Sequence, residues 1–210
     1  MDQTKTINTK LKGNLRLTGG KTLQSPKSFL TRPTTSIVRE ALINILGKSL
    51  INCNWLDLFS GSGIIGCEAL QRGAKRVLAI EKHNETAEIC KKNLLSTSFQ
   101  INNPAFLEVI SSEVIKSLIK GCKSQSMNYI KEFPNEDYRF DFIYLDPPYK
   151  SDLYRLTLEN ILHGDWIKKE GLAICECSTK FFPSIPKKWV TVKTKKYGNN
   201  LLVFLTPNQA

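Results

Sequence analysis

Apolar positions along this chain recur in two alternating periods, and their order sketches an architecture. After a polar start, Gly13-Asn-Leu-Arg-Leu alternates and runs into Gly19-Gly20 ahead of Lys21-Thr-Leu, the pattern of a small β-hairpin. Ile37, Val38, Ala41, Leu42, Ile45 and Leu46 then follow a helical period that stops at Gly47. From Trp55 onward, short apolar runs and helical stretches take turns. Strands are predicted at 55–59, 76–81, 106–110 and 140–145, with helices at 64–72, 84–95 and 114–121. Ala87, Cys90 and Leu94 line one side of the second of these helices. The stretch 122–139 carries no such period and reads as a polar, loop-like insert.

This alternation predicts a parallel sheet with helices on both faces. The end of the chain differs. Strand-like runs at 171–177, 189–196 and 201–206 follow, the last two separated only by the turn Tyr197-Gly-Asn-Asn. A connection that short forces antiparallel pairing, because a parallel crossover needs a dozen or more residues. The expectation is an α/β fold in three layers, a mostly parallel sheet closed by an antiparallel C-terminal hairpin. Residues 1–35 would form a basic extension carrying the β-hairpin, and 36–210 the main domain.

Length and composition narrow the class. With 210 residues, 41% apolar and 23% charged, the chain can bury a core, and no apolar run reaches the ~18 residues of a membrane span. The start MDQTKTINTK lacks the apolar core and cleavage site of a secretion signal, so a cytoplasmic protein is expected. Cys53, Cys67, Cys90, Cys122, Cys175 and Cys177 form no C-x-x-C pair, and His83 and His163 are the two histidines. Buried reduced thiols are expected, without a metal site.

The formal charge of +11 is concentrated at the two ends. Residues 1–36 carry a net +6, and residues 168–196 another +6, leaving the remaining chain at −1. Two basic segments flanking a near-neutral body suit a phosphate-bearing partner, although a solvated lysine-rich surface has the same composition.

Candidate chemistry lies in two motifs. In Asp57-Leu-Phe-Ser-Gly-Ser-Gly-Ile-Ile-Gly, the residues Gly61, Gly63 and Gly66 match G-x-G-x-x-G at a strand-to-helix junction, and Glu81 follows Gly61 by 20 residues at the end of the next strand. Such a loop lets backbone approach a ligand, while the carboxylate accepts from ribose hydroxyls. The ribose of NAD and that of S-adenosylmethionine fit alike. Asp57 favours the latter, since a carboxylate there can hold a cationic methionine end but would repel a pyrophosphate.

The second motif, Asp146-Pro-Pro-Tyr149, follows the apolar run Phe142-Ile-Tyr-Leu. The two prolines stiffen the turn and lack N–H donors, so its acceptors are left for a ligand. A carboxylate, a free carbonyl and an aromatic ring together suit an exocyclic amine on a flat base. Asp146 and the Pro147 carbonyl can accept its two N–H groups while Tyr149 stacks on the ring. Those acceptors stabilise positive charge that develops as the nitrogen attacks.

These residues resemble class I S-adenosylmethionine-dependent methyltransferases with an Asp/Asn/Ser-Pro-Pro-Tyr/Phe amino-methylation motif. More narrowly, they resemble the RsmD family of bacterial 16S rRNA guanine-N2 methyltransferases. Thr31-Arg-Pro-Thr-Thr-Ser-Ile-Val-Arg-Glu-Ala-Leu, the glycine loop with Cys67-Glu-Ala-Leu-Gln-Arg-Gly-Ala, and Asp146-Pro-Pro-Tyr149 carry the likeness. The resemblance implies transfer to N2 of guanine 966 in 16S rRNA, on free rRNA or the assembled small subunit, and a monomer is expected. It implies that Asp57, Phe59, Gly61, Ser62 and Gly63 face the methionine end. Glu81 with Lys82 would meet the ribose, and Glu113 with Val114 the adenine. It makes Asp146, Pro147 and Tyr149 catalytic, with Arg16, Lys21, Arg32, Thr34, Pro148 and Lys150 on the RNA.

Other readings remain open at this level. Glu113 also reads as a solvated charge at a helix start, Arg32 as a loop anchor, and Arg39-Glu40 as a helix-surface pair. DNA adenine-N6 and cytosine-N4 methyltransferases use the same tetrapeptide, but commonly add a target-recognition segment for which this chain has little room. A protein-glutamine methyltransferase would place Asn where Asp146 stands. An NAD-dependent oxidoreductase leaves the second motif unexplained, and a noncatalytic RNA-binding protein leaves both motifs without use.

Overall fold

The computed structural model describes residues 15–26, 35–102, 104–148 and 151–208, and within them seven strands form one sheet. They are β1 (Asn54–Leu58), β2 (Arg76–Glu81), β3 (Phe106–Ser111), β4 (Phe140–Leu145), β5 (Ile167–Ser178), β6 (Trp189–Tyr197) and β7 (Asn200–Pro207). Their order is β3-β2-β1-β4-β5-β7-β6. The first five run parallel, and β7 enters antiparallel between β5 and β6. The expected topology, including the closing hairpin, is therefore the observed one.

Alternation along the central strands sends side chains to two separate cores. Trp55, Val77, Ala79, Phe142, Tyr144 and Ile174 pack under α1 (Ser36–Leu46), α2 (Ile64–Gln71) and α3 (Asn84–Gln100). Leu56, Leu58, Leu78, Ile80, Ile143 and Cys175 pack under α4 (Val114–Ile119) and α7 (Ser151–His163). Both faces of β1 and β2 are covered, which is why these strands read as continuous apolar runs. All six cysteines are buried and free. Among the described residues, no helix is long and apolar enough to cross a membrane.

Several elements differ from the expectation, each for a local reason. Helix α3 continues to Gln100, because Thr97 extends the buried stripe by returning its hydroxyl to the Asn93 carbonyl at 2.8 Å. Strand β5 begins at Ile167, where Lys168, Lys169 and Glu170 mask a strand whose register against β4 shifts between Phe140 and Phe142. Helix α7 lies outside the expected elements, although Tyr154, Leu158 and Ile161 are spaced to share one buried face.

The insert 122–139 is not a loop. It holds α5 (Cys122–Gln125) and α6 (Met127–Glu132), folded around Arg76, which is fully buried at the start of β2. The guanidinium donates to the Tyr138 carbonyl at 2.6 Å and the Ser126 hydroxyl at 2.8 Å. It also lies 4.1 Å from the Tyr129 ring centroid and 4.5 Å from that of Phe140. The organiser of the insert is thus a residue 50 positions upstream of Ser126, and no local period could reveal it.

The N-terminal hairpin is present in miniature. Arg16 and Thr22 form an antiparallel bridge, and the Leu17 N–H donates to the Lys21 carbonyl at 2.9 Å. Leu17 and Leu23 are buried in the core beneath α1 to α3. Arg39 is buried rather than half of a surface pair with Glu40. Its Nη2 donates to the Arg16 carbonyl at 2.6 Å, and its Nε lies 3.6 Å from Glu68 Oε1.

Candidate active site at the carboxyl ends of the strands

Three strand ends meet in register. Leu58 of β1 pairs with Ile80 of β2 on one side and with Leu145 of β4 on the other. The residues that follow, Phe59, Glu81 and Asp146, therefore emerge side by side, with neighbouring strands ~4.8 Å apart. Chain progression reverses at this point, since β2 and β3 lie to one side of β1 while β4 and β5 lie to the other. Such a switch opens a crevice outside the carboxyl ends, where α/β sheets bind ligands.

The loop after β1 is contorted, and its glycines serve different ends. Phe59, Gly61 and Gly63 all have positive φ, at 58°, 53° and 75°. A Cβ on Gly61 would meet nothing within 4 Å, so glycine answers a conformational need there. A Cβ on Gly63 would lie 2.5 Å from Cys90 Sγ, and one on Gly66 would lie 3.0 Å from Val77 Cγ1. Gly63 thus lets the start of α2 approach α3, and Gly66 lets α2 close on β2.

Two carboxylates brace this loop. Glu81 accepts the Gly61 N–H through Oε2 and the His83 N–H through Oε1, each at 2.9 Å. Each oxygen keeps a second acceptor position, which is what two ribose hydroxyls require. Asp57 lies beneath the loop, 1% exposed, with Oδ2 accepting the Gly66 N–H at 3.0 Å. Burial pushes its carboxyl up to about 8, the Gly66 bond opposes the shift, and the charge of Glu81 adds to it. Asp57 is positioned to fasten the first turn of α2 under the loop.

Across the crevice, Asp146 is half-buried, Pro147 is buried and Pro148 is exposed. The field of Asp146 is felt around it. Burial and then Asp146 push the Cys177 thiol up to about 12, and the same two causes raise the Tyr154 phenol. Glu113 stands at the start of α4 and pairs with Lys82 at 2.9 Å, the two side chains being 61% and 62% exposed. This contact joins the loops after β2 and β3, and it holds the Glu113 carboxyl below its usual range. Val114 is buried behind it.

Arg16 is exposed on the hairpin and Lys21 half-exposed, its ammonium lowered by partial desolvation. Arg32, Thr34, Tyr149 and Lys150 lie outside the described residues. Sequence reasoning missed Glu68 and Asn93, two buried polar residues that tie the hairpin to the body. Glu68 Oε1 accepts the Thr18 N–H at 2.8 Å and its hydroxyl at 2.9 Å. The available signal was a polar side chain in the apolar stripe of a helix, as with Asn93 beside Cys90 and Leu94.

The sheet order, the glycine loop braced by an acidic residue and the facing Asp-Pro-Pro corner define a class I methyltransferase with S-adenosylmethionine as its cofactor. A family model described as conserved hypothetical protein 95 matches residues 13–206. The chain is 31% identical over 174 residues to ribosomal RNA small subunit methyltransferase D of Buchnera aphidicola subsp. Acyrthosiphon pisum, covering 83% of this chain and 81% of that one. It is likewise 31% identical over 192 residues to the protein of that name from Haemophilus influenzae, covering 89% and 91%. A solved structure of Escherichia coli yhhF, described as a candidate methyltransferase, superposes with a TM-score of 0.74 at 26% identity, covering 94% of this chain and 100% of that one. The chain belongs to this family, the RsmD family.

Proposed function

We propose that this protein methylates the exocyclic N2 of a guanine in 16S rRNA, the position being guanine 966 by likeness to its family. The observation that carries the reading is the pairing of Leu58 with both Ile80 and Leu145, which sets the glycine loop, Glu81 and the Asp146 corner around one crevice. Bound S-adenosylmethionine supplies an electrophilic methyl group on its sulfonium. The chain contributes the rest. Gly61, where a Cβ would meet open space, leaves room for the methionine end, the Gly63 backbone lies beside it, Glu81 accepts from ribose hydroxyls, and Glu113 with Val114 borders the adenine.

The guanine amine conjugates with its ring and is a weak nucleophile. Asp146 and the Pro147 carbonyl accept its two N–H groups, favouring a pyramidal nitrogen and stabilising the charge that grows on it. Tyr149 stacks on the base and holds it for in-line attack, and Asp146 takes the proton afterward. Arg16 and Lys21 on the hairpin, with Arg32, Thr34, Pro148 and Lys150, meet the RNA.

The test is transfer of labelled methyl to unmodified 16S rRNA and to small subunits lacking the modification, followed by nucleoside analysis. N2-methylguanosine is expected. N6-methyladenine in DNA, or absence of transfer to every RNA form, would overturn the reading. Asp146→Ala should lower turnover by at least 100-fold, on the order expected for lost transition-state acceptors, with cofactor affinity unchanged by calorimetry.

A further inference from the structure

Asn93 is a neutral amide in the middle of α3, 2% exposed, yet it makes three hydrogen bonds to backbone that is remote in sequence. Its Oδ1 accepts the Gln24 N–H at 2.9 Å, and its Nδ2 donates to the Gln24 carbonyl at 3.0 Å. The same nitrogen donates to the Ser62 carbonyl at 2.9 Å. Toward Gln24 the amide behaves as one more residue of a strand, taking both the donor and the acceptor. Toward Ser62 it grips the middle of the glycine loop. The hairpin tip has other fastenings, through Thr18 to Glu68 and through the Arg16 carbonyl to Arg39, but those lead to α2 and α1. Asn93 spans the hairpin and the cofactor loop with one rigid group.

We propose that Asn93 is a positioning residue that couples the RNA-binding hairpin to the cofactor loop, so that RNA and cofactor each favour the other's binding. The inference rests on the function proposed above. Its two states are a docked hairpin, with Gln24 and Ser62 both held by the amide, and a released one in which these three bonds open. A cofactor seated against Gly61 to Gly63 immobilises Ser62, which holds the amide in the orientation that Gln24 needs. RNA on Arg16 and Lys21 immobilises the hairpin and acts on Ser62 by the reverse route. Linkage requires the effect to be equal in both directions.

The experiment measures binding of an unmodified 16S rRNA transcript with and without saturating S-adenosylhomocysteine. The wild-type protein is expected to bind RNA about five-fold more tightly with the cofactor product present, at the lower end of usual coupling. In Asn93→Ala, and in the near-isosteric Asn93→Asp, whose carboxylate faces the Gln24 and Ser62 carbonyls, the ratio should fall to about one. A purely structural lesion would weaken both measurements and leave their ratio in place, which would overturn the proposal. A wild-type ratio of one would do the same while leaving the proposed function standing. Absence of RNA binding by the wild type would instead remove the function, and the coupling with it. Should both variants fail to fold, hydrogen exchange on the wild type decides. S-adenosylhomocysteine must slow exchange at the Gln24 and Leu17 amides, and unchanged exchange there overturns the coupling.

Discussion

Burial of Asp57 beneath the glycine loop raises its carboxyl from the ordinary 3.8 to about 8. Between those values the folded chain keeps a proton that the unfolded chain has released, so the unfolded state binds fewer protons. Stability contributed by this group therefore falls as pH rises from about 4 to about 8 and is level above that. Asp57→Asn keeps an oxygen for the Gly66 N–H but has nothing to ionise. In ligand-free protein, the stability of Asp57→Asn relative to wild type should climb through that window by a few kcal/mol, on the order that a shift of several units represents, and then stop changing. A difference that is constant with pH in urea unfolding would mean that Asp57 is ionised throughout. Gly63 is constrained in two ways. Its φ of 75° and the 2.5 Å approach to Cys90 Sγ are separate penalties for any side chain. Gly63→Ala should destabilise by about 2–4 kcal/mol, as overpacking with backbone strain does. Adding Cys90→Ala should recover the steric part and leave about 1 kcal/mol of strain. Full recovery in denaturant midpoints would show that conformation costs nothing at this position.

At the scale of elements, what the sequence disclosed depended on whether an element's reason for existing was local. Strand β2 and helix α1 were legible because consecutive side chains carry the pattern, and Thr35 and Gly47 mark the ends of α1. The glycine loop was legible because its backbone demands fall on three nearby glycines and Glu81. Helices α5 and α6 were not, since their contacts converge on Arg76, which sits on another element. The fastening of the hairpin was hidden for the same reason, with Glu68 and Asn93 each reaching across about 50 or more positions. Arg76→Lys keeps the charge but loses the planar group that donates to two acceptors while lying between two rings. It should cost about 2–4 kcal/mol, as partly broken buried charge networks do. Limited proteolysis should then cut first within 122–139. Equal stability, or first cleavage elsewhere, would mean that the insert holds its shape without Arg76.

Charge belongs to the molecule as a whole, and the register of the sheet decides where the C-terminal lysines stand relative to the crevice. Leu145 pairs with Cys175, Cys175 with Val203, and Val203 with Thr194. Lys195 and Lys196 therefore stand level with Asp146 and Pro147, three strand spacings or about 14 Å away. They are exposed, as is Lys193, and β6 ends the sheet order. Lysines on a terminal strand can have a different purpose, since they deter pairing with a second sheet. Glutamate separates the two, because it guards an edge as well as lysine does but repels phosphate. Combined Lys193→Glu, Lys195→Glu and Lys196→Glu should leave the melting temperature and solubility unchanged while weakening rRNA binding at low salt. The slope of log affinity against log salt should shrink by roughly 0.7–0.9 for each phosphate that the chain no longer neutralises. An unchanged slope would assign these lysines to edge protection alone and leave phosphate binding to the N-terminal basic segment.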